Sequence, residues 1–112
     1  MQMIEEKLKE AIDRFNRSVE EDPKLQAEVK DKVRTVQILL EEGQSWHFVL
    51  DNGHIDGLLD GGQDSAEITV STDQATLEGI FAGEVSPMKA YATKKLVLKA
   101  SLQDLLTLRK FF

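Results

Sequence analysis

The residues of this sequence that could do chemistry are scattered. Its only histidines are His47 and His54. Either can be combined on paper with a serine and an aspartate, but no Gly-x-Ser-x-Gly elbow presents a nucleophile. Asp51, Asp56, Asp60 and Asp64 offer oxygen ligands for calcium. Their spacing lacks the Asp-x-Asp-x-Asp-Gly order of a calcium loop, so charged turn residues are the better reading. Two histidines alone make no metal site, and surface or structural roles fit both. The chain has no cysteine, which removes thiolate catalysis, disulfides and cysteine-built zinc sites. Glycine-rich loops of the P-loop or dinucleotide kind are absent. No two carboxylates are spaced to act as an acid–base pair across a pocket. The sequence points away from enzymatic chemistry, metals and cofactors, and toward binding.

Composition agrees with a globular chain. With 112 residues, 41% hydrophobic and 30% charged, it fits one domain over residues 1–112. The first residues, MQMIEEKLKE, are acidic early and lack the apolar core of a secretory signal. No apolar run approaches the ~20 residues of a membrane span, so the expected setting is the cytoplasm. The net charge of −6 argues against nucleic acid as a partner, because phosphate binding needs basic surface. That charge is uneven. Residues 86–112 hold Lys89, Lys94, Lys95, Lys99, Arg109 and Lys110 against Asp104 alone, a net of +5. The remainder carries −11. A solvated face explains this, and so does a basic end that meets an anionic membrane.

The elements follow from periodicity. Ile4, Leu8, Ala11, Ile12, Phe15 and Val19 recur at steps of three and four, which predicts a helix over 3–20 with one apolar face. Asp22-Pro23 ends it and caps a second helix, from Pro23 to about Lys32, with Leu25 and Val29 inward. The period then falls to two. Val36, Ile38 and Leu40 alternate with Thr35, Gln37 and Leu39, and Trp46, Phe48 and Leu50 with Ser45, His47, Val49 and Asp51, across a short Glu42-Gly43-Gln44 connection. Asn52-Gly53 is a strong turn signal that predicts a third strand over His54–Leu59. A fourth strand follows over Ala66–Ser71. Ser71 and Gln74 fit a capping box for a third helix, which carries Leu77, Ile80 and Phe81 and stops at Gly83. Ser86-Pro87 opens a fourth helix with Met88 and Tyr91. Lys95–Ala100 reads as a fifth strand. A last helix over Ser101–Phe112 carries Leu102, Leu105, Leu106 and Leu108, with Ser101 as its cap. The sum is an α+β fold, with helices laid on one face of a twisted sheet.

The segment Gly83-Glu84-Val85-Ser86-Pro87-Met88-Lys89-Ala90-Tyr91-Ala92-Thr93-Lys94-Lys95-Leu96 resembles the sterol carrier protein-2 (SCP-2) family of small non-specific lipid carriers. Gly83, Pro87, Ala90, Tyr91, Lys95 and Leu96 carry the likeness, together with a strand, Ile68-Thr69-Val70, that runs directly into a helix. Lys94 and Ala100 stand where the family tends to have glycine. Some relatives carry a C-terminal segment that closes the tunnel and bears a peroxisomal address; neither feature is expected from the residues up to Phe112. The resemblance implies a five-stranded, mainly antiparallel sheet covered by helices. It also implies an apolar tunnel for an acyl chain, isoprenoid or sterol, and no cofactor.

On that reading the ligand-binding candidates are Trp46, Phe48, Leu77, Phe81, Met88, Tyr91, Leu102 and Leu106, between the sheet and the last three helices. A lipid tail needs a wide apolar wall with few polar anchors, and methionine adapts to varied shapes. Each of these residues also suits an ordinary core. Membrane-contact candidates are Lys94, Lys99, Arg109, Lys110, Phe111 and Phe112, with cations for headgroups and aromatics for the acyl boundary. The terminal phenylalanines equally suit a lid folded back on the core, or packing on a partner chain. Two functions stay open. One is a soluble lipid-binding or lipid-transfer domain. The other is a non-catalytic interaction module with a filled core, which forms a homodimer or partners an enzyme.

Overall fold

In a computed structural model, residues 3–108 are described. Their strands form one sheet, and its apolar side lies under the helices. Helix α1 (Met3–Glu21) comes first, then α2 (Pro23–Val29). Ile4, Leu8, Ile12 and Val19 are buried along α1, the face that the three-and-four spacing predicts. Asp22 caps α2 by accepting the Lys24 N–H at 2.9 Å. This helix ends at Val29, earlier than expected, because Lys30 is extended and Asp31 takes φ +62°. Asn52 stabilises that exit, its Oδ1 accepting the Asp31 N–H at 2.8 Å.

Strands β1 (Val33–Leu40) and β2 (Ser45–Asp51) form the expected hairpin. Asn52 (φ +52°) and Gly53 (φ +85°) both take the left-handed conformation that a tight hairpin turn demands. The third strand is shorter than His54–Leu59. It splits into β3 (His54–Ile55) and β4 (Leu59–Asp60), which share one edge of β2 at its two ends. Strand β5 (Ile68–Thr72) pairs parallel with β1, and β6 (Leu96–Lys99) closes antiparallel on β5. The order is β3-β2-β1-β5-β6, with β4 also paired to β2.

Because β5 lies on the far side of β1 from β2, residues 61–67 must cross the sheet. They do so over its outer face. The Gln63 N–H donates to Gln37 Oε1 at 3.0 Å, and His47 Nδ1 lies 2.8 Å from the Gly61 carbonyl. A Cβ on Gly62 would stand 2.7 Å from Gln37 Oε1, so this crossing requires glycine unless Gln37 moves. His47 thus points away from the core, as the alternation of β2 predicts.

Helix α3 (Gln74–Phe81) follows β5 without a loop. Its cap is Asp73, not Ser71. Strand β5 stays paired through Thr72, so Ser71 is still in the ladder and Asp73 is the first residue free to turn. Gly83 takes φ +77° just past the helix, the expected left-handed stop. Ser86 caps α4 (Pro87–Ala92), and Ser101 caps α5 (Leu102–Leu108) by accepting the Asp104 N–H at 3.1 Å. Between α4 and β6, Lys94 holds φ +64°.

Candidate functional site

The sheet's registers sort its side chains into two faces. Ile38 lies opposite Trp46, Val36 opposite Phe48 and Arg34 opposite Leu50. In β5 and β6 the matching pairs are Val70 with Leu98 and Thr72 with Leu96. These positions face the helices and form one inner wall. Its cover is unequal along the strands. At one end Ile38, Leu40, Trp46 and Leu77 are buried together with Ile4 and Leu8 of α1. Toward the other end Val36 and Leu50 are only half-buried, as is Leu98 on the edge strand, level with Val70 and Ile38. Ile68 is buried even there, so the exposure is local rather than general.

Arg34 occupies that second end, in phase with Val36, Ile38 and Leu40. Its Nε lies 3.1 and 3.0 Å from the two carboxylate oxygens of Asp104, and its Nη1 donates to the Val33 carbonyl at 2.9 Å. Asp104 is 7% exposed, and Arg34 is half-buried. The pair ties α5 to β1 across 70 residues of sequence. Two charges drawn out of water stay together only when hydrogen bonds replace their hydration. Sequence reasoning passed over Arg34 and read Asp104 only as the lone acid of a basic segment. The signal was a cation in phase with the inward apolar positions of β1, and one acid in an otherwise basic segment.

The eight ligand-binding candidates separate into two sets. Trp46 and Leu77 belong to the buried cluster, and Phe48 and Phe81 pack against it. Met88 and Tyr91 of α4 and Leu102 and Leu106 of α5 are exposed, Leu102 most of all at 75%. A groove of about 760 Å³ runs between α1 and α3 over Ile4, Phe81 and Val85, with Glu42, Glu78 and Glu84 around it. Of the eight residues, it takes in Phe81 alone. Lys94 and Lys99 are exposed. Arg109, Lys110, Phe111 and Phe112 lie outside the described residues.

Polar groups near the wall are satisfied by neighbours. Thr72, 2% exposed, donates its hydroxyl to the Lys95 carbonyl at 2.9 Å. The Asp73 carboxyl accepts the Thr76 N–H at 2.7 Å and the Thr76 hydroxyl at 2.8 Å. These bonds, the backbone one foremost, hold its pKa below the usual carboxylate value. His54 stands 3.4 Å from Asp56 on an exposed turn. Among the described residues, no group of three or more histidines and acids stands close enough to hold a metal ion. None of the described helices is long and apolar enough to cross a membrane.

An apolar sheet wall, helices on that side only, and a crossover loop on the other define a small α+β domain of the sterol-carrier class. The chain belongs to the SCP-2 sterol transfer family, whose sequence model matches residues 12–112. Its fold is that of a crystal structure of sterol carrier protein 2, at 17% identity and TM-score 0.63, covering 86% of this chain and 82% of that one. The palmitated SCP2L2 of Aedes aegypti is similar at 19% identity and TM-score 0.61, covering 89% and 88%. The sec-alkylsulfatase Pisa1 from Pseudomonas sp. is similar at 20% identity and TM-score 0.55 over 71% of this chain. The chain spans only 13% of that enzyme's length. No curated protein matches the chain in sequence.

Proposed function

We propose that this chain is a lipid carrier that takes an acyl chain, isoprenoid or sterol against the half-covered end of its inner wall. The observation that carries this reading is the unequal cover. Val36 and Leu50 are apolar and face the helices, yet stay half-buried. A ligand there completes the burial, and each methylene removed from water contributes about 0.8 kcal/mol. Trp46, Phe48, Leu77 and Phe81 form the firm part of the wall. Met88, Tyr91, Leu102 and Leu106 are the surface that meets the incoming lipid. Family membership supports the reading, and so does the likeness to a palmitated relative.

Delivery needs contact with a membrane. Lys94 and Lys99 are exposed for headgroups, and the sequence adds Arg109, Lys110, Phe111 and Phe112. The exposed Leu102 and Leu106 also favour the second reading, in which α5 packs on another chain. Native mass spectrometry of freshly purified protein separates the two. The carrier reading expects an adduct of lipid mass, or one that forms on incubation with fatty acids, isoprenoids and sterols. A bare mass after that incubation, with a concentration-dependent oligomer, supports the interaction module instead.

A further inference from the structure

Arg34 is the only cationic side chain among the inward-facing positions of the paired strands. It sits at the half-covered end, beside Val36 and opposite Leu50. Its partner is a carboxylate that comes from the protein itself, on a helix with exposed leucines on its surface. Both Asp104 oxygens share the one Arg34 Nε, at 3.0 and 3.1 Å, and a fatty acid headgroup is a carboxylate that this donor can hold in the same way.

We propose that Arg34 is the headgroup anchor for an anionic, carboxylate-bearing acyl chain, and that Asp104 occupies its place in the empty protein. Ligand and Asp104 then compete for one guanidinium. The proposal rests on the carrier reading and adds to it a ligand class and a coupling. The exchange replaces one carboxylate with another, so the charge at Arg34 stays balanced. The acyl chain supplies the driving force by covering Val36 and Leu50. Asp104, once displaced, carries α5 away from β1, so loading loosens the helix that bears Leu102 and Leu106. The Arg34–Asp104 ion pair joins two separate elements, whereas Lys7–Glu10 lies within α1.

Competition makes a prediction that a purely structural ion pair does not. Removing either partner of a structural clasp loosens α5 in the same way, so both changes should shift ligand affinity in the same direction. Under competition the two changes act oppositely. Asp104→Asn frees Arg34 and should tighten palmitate binding about tenfold, whereas Arg34→Met should weaken it about tenfold or more. Hexadecanol has the same chain and no charge, and its affinity should respond equally to both changes. The experiment is titration of the whole chain and each variant with palmitate and with hexadecanol. Circular dichroism confirms that each is folded, and an Arg34→Met/Asp104→Asn double variant removes the unpaired charge of the Arg34 single. In the double variant palmitate should lose its advantage over hexadecanol. Amide exchange should rise across residues 102–108 when palmitate is added to the native protein, and much less with hexadecanol. If palmitate affinity moves the same way in both single variants, or palmitate and hexadecanol respond alike, the pair is a clasp only and the proposal is overturned. The carrier reading survives that result. If neither lipid binds the native chain, the carrier reading falls and takes the proposal with it.

Discussion

The two ends of the inner wall are built from the same kinds of residue but packed differently. Under α1, Ile38, Leu40 and Trp46 meet Ile4, Leu8 and Leu77 in one buried cluster. Toward α5, Val36 and Leu50 are half-buried beside an ion pair. The first end rests on hydrophobic burial, which is non-directional and grows with area. The second rests on a directional contact between Arg34 and Asp104, whose net worth is small because desolvation offsets attraction. A protein that must stay folded while admitting a greasy ligand needs both. One end supplies stability without the ligand, and the other can open without unfolding the rest.

The largest effect expected from this contrast is at Trp46. Trp46→Ala should lower unfolding free energy by about 3–5 kcal/mol, whereas Leu50→Ala at the half-covered end should cost only about 1–2. Equal losses in urea denaturation would remove the distinction between the ends. Asp73→Ala is a smaller change, in the joint between sheet and α3. It should cost about 1 kcal/mol at neutral pH through loss of the cap. The native Asp73 pKa is lowered, so its contribution is present above the ordinary carboxylate range and is lost as pH falls through the lowered value. The gap between native and variant stability should therefore close in acid, and a gap independent of pH would refute the assigned role. Lys94→Gly should stabilise by about 0.5–1 kcal/mol, because a left-handed backbone disfavours side chains. Thermal melting would show it as a raised midpoint. The smallest effect on stability is at Leu102, which is already exposed. Leu102→Gln should change stability by less than about 0.5 kcal/mol, yet slow lipid transfer between vesicles. Unchanged transfer would remove α5 from the delivery surface.

Much of this architecture was legible in the sequence because its local signals agree with its packing. The spacing of Ile4, Leu8, Ile12 and Val19 placed one face of α1, and Asn52-Gly53 placed a turn that both residues make with positive φ. Gly83 and Ser86-Pro87 marked the stop and start between α3 and α4. What was missed depended on contacts distant in sequence. Ser71 looks like a cap until β5 is seen to pair through Thr72. His54–Leu59 looks like a strand until its two ends are seen to bond β2 separately. The apolar stripe of α5 suggested a buried helix, but a 3.6-residue period cannot say whether a partner surface is present, and Leu102 and Leu106 are exposed. The Arg34–Asp104 pair spans 70 residues, beyond the reach of local reasoning.

The central claim is that lipid enters at the half-covered end of the wall. A spin-labelled fatty acid, doxyl-stearate, tests it most directly by broadening nearby methyl signals in an NMR spectrum of the whole chain. The expected result is loss of the Val36 and Leu50 methyl signals while those of Leu40 and Leu77 stay sharp. Broadening confined to Ile4, Leu77 and Val85, near the groove between α1 and α3, would contradict it and place the lipid at the other end.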